Sequence, residues 1–195
     1  MEKITTELLE CKEFLFAFLR HPLKEIPRVP DWSWQRLLLF QVALTMATGA
    51  LGGLLSLHIF SILTQMILMP ILTLITLMVC CLFFYYSFQI FADRTISFRS
   101  LFGTVFFANI PFFIFQIVSV HFSPVALVGL GFTALLLIVA FVDRYLLPRK
   151  IVIRLIGALY ILFFVIWIAG RIDGSRIDKS WKSERVQAPE VKLGE

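Results

Sequence analysis

The stretch that decides the fold is 37–92, which reads LLLFQVALTMATGALGGLLSLHIFSILTQMILMPILTLITLMVCCLFFYYSFQIFA. Its 56 residues include no Asp, Glu, Lys or Arg. A membrane-spanning helix needs about 20 apolar residues, so this stretch is too long for one span and suits two spans with a turn. The sequence predicts these spans near 37–57 and 66–91, with Pro70 close to the first turn of the second.

Two further apolar stretches complete the predicted bundle. The uncharged stretch 100–142 predicts spans near 101–120 and 125–142, and a last run predicts a fifth span near 151–170. Hydrophobic residues make up 59% of the chain and charged residues 16%, against about 45–50% and about 25% in soluble proteins. The runs do not alternate apolar with polar residues, which excludes barrel strands. We expect an all-α, polytopic transmembrane helical bundle over 37–170.

The distribution of charge indicates how this bundle is oriented. The junctions after the second and fourth spans carry Lys and Arg, whereas the turns inside each pair carry neither. By the positive-inside rule, the N-terminus and both charged junctions face the cytoplasm. The residues with this predicted topological role are Asp93, Arg94, Arg99, Asp143, Arg144, Arg149 and Lys150.

The two ends of the chain are predicted to lie outside the bilayer core. Segment 1–36 reads as a cytoplasmic amphipathic helix, ended by Pro22, and a Pro-rich linker. This helix either lies on the leaflet or docks a partner, or it packs against its own bundle. Segment 171–195 is polar and is predicted to be disordered. Five spans place it outside, although it carries six basic residues; the alternative is a re-entrant run with both termini cytoplasmic. The helical stripe in 1–36 consists of Ile4, Leu8, Cys11, Leu15 and Phe18.

Small and polar residues inside the spans are the candidate sites. Gly49 and Gly53 lie four residues apart, which lets helix backbones approach closely, either within the chain or in a homo-oligomer. Asn109 and Gln116 lie seven apart on one helix face, with Pro111 between them. Such amides either line a solute path or form interhelical hydrogen bonds.

The sequence contains no pattern that indicates catalysis. No charged residue lies deep in a predicted span, which argues against proton-coupled pumps. The three histidines are isolated from each other and from Cys or carboxylates at metal-ligand spacing. Acidic residues are mixed with the basic ones at both ends, so nucleic acid is not an expected partner. We expect neither an enzyme nor a cofactor.

The ends of the two predicted hairpins resemble each other. The sequence FADR at 91–94 closes the first and FVDR at 141–144 closes the second, each followed five residues later by another Arg. Helix exits at a cytoplasmic interface repeatedly favour charge, which explains the similarity without common origin; a duplicated hairpin is the alternative.

Three features are similar to the Yip-domain family of five-span membrane proteins: FLRHP at 18–22, ADRTISFR at 92–99, and Pro111 in the following span. Asp93 and Arg94 replace the family's usual glycine pair, and Phe106 or Phe107 stands where a tyrosine is often found. Segment 1–36 lacks the Asp-Leu-Tyr-Gly-Pro motif of the eukaryotic branch, which acts in Golgi–endoplasmic reticulum trafficking through small GTPases. The resemblance therefore implies a prokaryotic-type member.

These features together favour a non-enzymatic scaffold or adaptor in a bacterial cytoplasmic (inner) membrane. Its expected partners are the lipid bilayer, a protein at the cytoplasmic face and a second copy of the chain. The alternative is a channel or carrier for a small neutral or lipid-like solute, with Asn109, Pro111 and Gln116 lining the path.

Overall fold

The computed structural model describes residues 2–55, 59–119, 122 and 124–187, and the side chains of 10, 12–55, 62–119, 122, 124–166, 168 and 169. The described chain is helical and contains no strand. One compact unit ends at Gly157, and a second, beginning at Ala158, contains the rest of the last helix. The helices are α1 (Glu2–Arg20), α2 (Pro22–Glu25), a 3-10 turn (Ile26–Arg28), α3 (Trp34–Leu55), α4 (Ile59–Ala92), α5 (Phe98–Ala108), α6 (Ile110–Ser119), α7 (Val125–Asp143) and α8 (Arg149–Gln187).

Four stretches of the described helices are long and apolar enough to cross a membrane: Trp34–Leu55, Ile62–Ala92, Phe98–Ser119 and Val125–Asp143. They confirm four of the five predicted spans. The fifth, 151–170, falls within α8 and stays a prediction. The helix α8 continues to Gln187, so the structure gives a helical backbone to 171–187, where the sequence predicts disorder. Residues 188–195 lie outside the described residues.

Beyond its first turn, the helix α3 buries all of its polar side chains, and its exposed residues are all apolar. Its buried face carries Gln41, Thr45 and Thr48, whereas Leu39 and Leu51 on other faces are exposed. A water-soluble helix has the opposite arrangement. Polar groups turn inward when lipid offers them no hydrogen-bond partners, so this inversion supports the membrane assignment independently of helix length.

The second predicted span is longer than the sequence indicates. The helix α4 begins at Ile59, and its 34 residues extend about 51 Å at 1.5 Å per residue. Pro70 therefore lies inside the helix, and its predicted position in the first turn is wrong. Proline lacks an N–H, so the carbonyl oxygen of Met66 loses its partner in the helix. The side-chain amide of Gln41 donates to the carbonyl oxygen of Pro70 at 3.3 Å.

The third predicted span, 101–120, is two helices. It begins at Phe98, and α5 ends where Asn109 interrupts the helix before α6. The ring of Pro111 conflicts with a regular helical path past the carbonyl of Phe107, four residues earlier, which explains the break. Every residue from Leu101 to Ala108 is buried, so this part of α5 is enclosed by protein on all sides.

Candidate functional site

Arg144 joins three segments that are far apart in the chain. It follows the last residue of α7, and its side chain is only 13% exposed. The guanidinium donates to the Asp31 carboxylate at 3.0 Å, to the Ser100 hydroxyl oxygen at 2.9 Å and to the carbonyl oxygen of Val29. Arginine carries five N–H donors in one plane. One side chain therefore holds the N-terminal linker and the start of α5 against the end of α7.

A directed chain of hydrogen bonds extends from Arg144 into α5. The Thr104 hydroxyl donates its one proton to the Ser100 carbonyl oxygen at 3.0 Å. Tyr145 must therefore donate to Thr104 across 2.9 Å, and Ser100 must donate to Tyr145 across 3.1 Å, because each hydroxyl has one proton. The Arg144 guanidinium also lies 5.5 Å from the Tyr145 ring centroid, within cation–π range. We call these residues, with Val29 and Asp31, the Arg144 network.

A cluster of aromatic rings attaches the N-terminal arm (residues 2–33) to the bundle. The ring of Phe107 in α5 lies 5.0 Å from Phe14, 5.8 Å from Phe18 and 5.4 Å from Trp32. Phe40 of α3 completes the cluster, 5.9 Å from Trp32 and 5.8 Å from Phe107. One side of α1 thus packs against the protein's own bundle, which was one of the two interpretations of this helix.

The helices α4 and α7 end in the same kind of backbone turn. Asp93 has a φ of 47° and Leu146 a φ of 50°; the following N–H groups bond the carbonyl oxygens of Phe88 and Phe141, respectively. The rings of Phe88 and Phe141 are 4.9 Å apart. The sequence pattern aligns Arg94 with Arg144. Superposing the two turns instead aligns Asp93 with Leu146, so Arg94 follows the first turn residue and Arg144 precedes the second.

The Arg144 network brings both charged junctions and the linker to one end of the bundle, which we call the charged end. Arg144 itself is internal. The other six residues with the predicted topological role are exposed there: Asp93, Arg94, Arg99, Asp143, Arg149 and Lys150. That the charged end faces the cytoplasm stays a prediction from the sequence.

Gly49 and Gly53 lie at a close approach of α3 to α4. A Cβ at Gly49 would lie 2.7 Å from the Gln65 carbonyl oxygen, and one at Gly53 would lie 2.6 Å from the Ile62 Cα. Both distances are shorter than any normal contact and involve backbone atoms, which cannot move independently. The glycine face is therefore occupied by α4 of the same chain.

Asn109 and Gln116 lie on opposite sides of the break between α5 and α6. The Asn109 amide donates to the carbonyl oxygen of Val105 at 2.8 Å, within its own helical segment. Gln116 is half-buried in α6, and its backbone carbonyl accepts from the Ser119 hydroxyl. Pro111 lies in the first turn of α6. The structure therefore places the predicted polar face on two helical segments rather than on one continuous helix.

Several important residues were not identified from the sequence. Gly129 of α7 allows a second close approach, since a Cβ there would lie 2.8 Å from the Phe115 Cβ. A glycine in an apolar run was the available signal. Ser100, Thr104 and Tyr145 are hydroxyl residues near span ends, but nothing local indicates that they bond each other.

No family model matches the chain, and no curated protein and no solved structure matches it either.

Proposed function

We propose that the protein is a non-enzymatic scaffold or adaptor of a bacterial inner membrane, and that the charged end is its binding surface. The observation that carries this proposal is the Arg144 network. One largely buried guanidinium holds the arm and both junctions together, so the six exposed charges around it keep a defined spacing. A fixed pattern of charge favours orientation and selectivity toward a partner.

Topology and family belong to the same proposal. The positive-inside rule favours a cytoplasmic N-terminus and a cytoplasmic charged end. The resemblance to the Yip-domain family favours a fifth span at 151–170. Because α4 occupies the face with Gly49 and Gly53, assembly into a homo-oligomer would use another surface.

Site-specific photo-crosslinking in whole cells tests the scaffold proposal. A benzophenone side chain at Arg99 or Lys150, both exposed at the charged end, should give a discrete adduct with a partner. The matched control is Phe122, which is exposed in the turn at the other end of the α6–α7 hairpin. The adduct should weaken in Arg144→Met. Absence of any adduct at Arg99 and Lys150, or the same adduct at Phe122, would contradict the proposal.

A second candidate is a channel or carrier for a small neutral or lipid-like solute. Two buried oxygens favour it: Gln41 Oε1 and Thr133 Oγ1 have no hydrogen-bond partner among the described residues. Buried polar atoms normally have one. Vesicles containing the protein should then swell faster in glycerol or urea than empty vesicles, and Asn109→Leu with Gln116→Leu should abolish the difference. Equal swelling of loaded and empty vesicles would remove this candidate.

A further inference from the structure

The outer side of the arm remains apolar after its inner side has docked. Phe16, Leu19 and Leu23 are 54%, 47% and 50% exposed, whereas Phe18 on the docked side is buried. Phe16 and Leu19 lie three residues apart and share one face of α1. The arm therefore has two apolar sides, and the bundle covers only one.

Basic residues accompany this outer side. Lys12 and Arg20 are exposed and lie four residues before and after Phe16, so they flank it along the same row of the helix. Between 12 and 28 the chain carries four cations and two carboxylates, and one of these carboxylates, Glu13, is exposed three residues before Phe16. The other carboxylate, Glu25, lies 3.7 Å from Arg28. Apolar side chains bordered by Lys and Arg are typical of helices that lie in a membrane interface.

The docking contacts also set the depth of the arm along the bundle. Trp32, which contacts Phe14, also contacts Phe40. Phe40 is six residues beyond the start of α3 at Trp34, which corresponds to about 9 Å along a helix axis. Interfacial helices bury their apolar side about 5–10 Å into the boundary between headgroups and acyl chains. A second contact, the 3.4 Å ion pair between Glu10 and Arg36, ties α1 to the first turn of α3.

We propose that the outer side of the arm binds anionic phospholipid, with Phe16, Leu19 and Leu23 against acyl chains and Lys12, Arg20 and Lys24 on headgroups. Lipid fits this side better than a protein partner because the arm is attached beside a membrane-compatible helix at interfacial depth. The excess of cations within 12–28 complements anionic headgroups. The proposal rests on the exposed side of the arm and does not depend on the scaffold role of the charged end.

Nitroxide labels on the full-length protein test this proposal. With Cys11, Cys80 and Cys81 replaced by alanine, single labels are placed through Leu19→Cys and Ala17→Cys. Both positions are exposed, and they lie about 200° apart around the helix. In vesicles containing phosphatidylglycerol, the label at 19 should collide with oxygen and be shielded from an aqueous nickel chelate. The label at 17 should show the reverse preference.

Charge dependence supplies the second measurement. The combined variant Lys12→Gln, Arg20→Gln and Lys24→Gln should raise nickel accessibility at 19 several-fold, because headgroups no longer cover the outer side of the arm. The thermal midpoint should stay unchanged, since Phe14 and Phe18 still hold the arm on the bundle. Equal nickel accessibility at 17 and 19 in phosphatidylglycerol vesicles would overturn the proposal. Shielding at 19 in native membranes but not in pure lipid would also overturn it, by assigning this side to a protein.

Discussion

Gly53→Ala and Gly49→Ala are each expected to destabilise the bundle by about 1–3 kcal/mol, the range for overpacking a close contact. Each new methyl group would lie within 2.7 Å of α4 backbone atoms, so the two helices must separate to accept it. Separation would also weaken the contact of Gln41 with Pro70. The thermal midpoint of the detergent-solubilised protein, followed by size-exclusion chromatography after heating, measures the loss.

Two other glycines provide matched controls for this prediction. At Gly52 the new Cβ would meet only the Gln65 side-chain oxygen, at 3.1 Å, and at Gly157 it would meet nothing within 4 Å. Gly52→Ala should therefore have a smaller effect, because a side chain can rotate away. Gly157→Ala should be neutral or stabilising, because alanine has the higher helix propensity. If Gly49→Ala and Gly53→Ala matched Gly157→Ala, the close approach of α3 and α4 would be disproved.

Arg144→Met is expected to lower the free energy of unfolding by about 2–4 kcal/mol, because hydrogen bonds from a charged donor contribute about 1.5–3 kcal/mol each. The substitution removes the donors from the Val29 carbonyl and the Ser100 hydroxyl. The Asp31 carboxylate matters less, since it is 60% exposed and water can replace its partner. Unfolding in sodium dodecyl sulfate measures the change.

The same variant should loosen the arm before the bundle unfolds. Trypsin should cut Arg144→Met faster than the parent at the exposed basic residues of 20–28, since protease sensitivity follows local opening. Arg149→Met is the control, because Arg149 is exposed at the start of α8 and surface substitutions change stability by about 0.5 kcal/mol or less. Trypsin should cut Tyr145→Phe at a rate between those of Arg144→Met and Arg149→Met. Arg144→Met and Arg149→Met would behave alike if the Arg144 network did not hold the arm.

The boundaries of the spans could be predicted only where local chemistry defines them. The last residue of α7 follows from the first charge after an apolar run, and the prediction of 142 is within one residue of Asp143. The start of α4 could not be predicted in this way, because no charge separates α3 from α4 and Pro70 wrongly indicates a helix start. The break at Asn109 had a local cause in Pro111, yet hydropathy alone merges α5 with α6.

The candidate site depends on contacts that no local pattern contains. Arg144 and Asp31 are 113 positions apart, and Arg144 and Ser100 are 44 apart. The sequence marks Arg144 as one of seven similar junction charges. In the turn after α7, Leu146 takes the backbone conformation that Asp93 takes in the turn after α4. Arg144 and Arg94 therefore occupy different positions in their turns, although the sequence pattern aligns them.

The sequence alone determined that the chain is helical and suited to a membrane, because hydropathy and missing charge are sums over neighbouring residues. It also determined that the charge within 37–170 gathers at the two junctions. Only the tertiary structure decided that α3 turns its polar face toward α4, that most of α5 is enclosed, and that Arg144 is internal. These features depend on which distant residues meet, and a buried polar group is stable only where the rest of the fold supplies its partners.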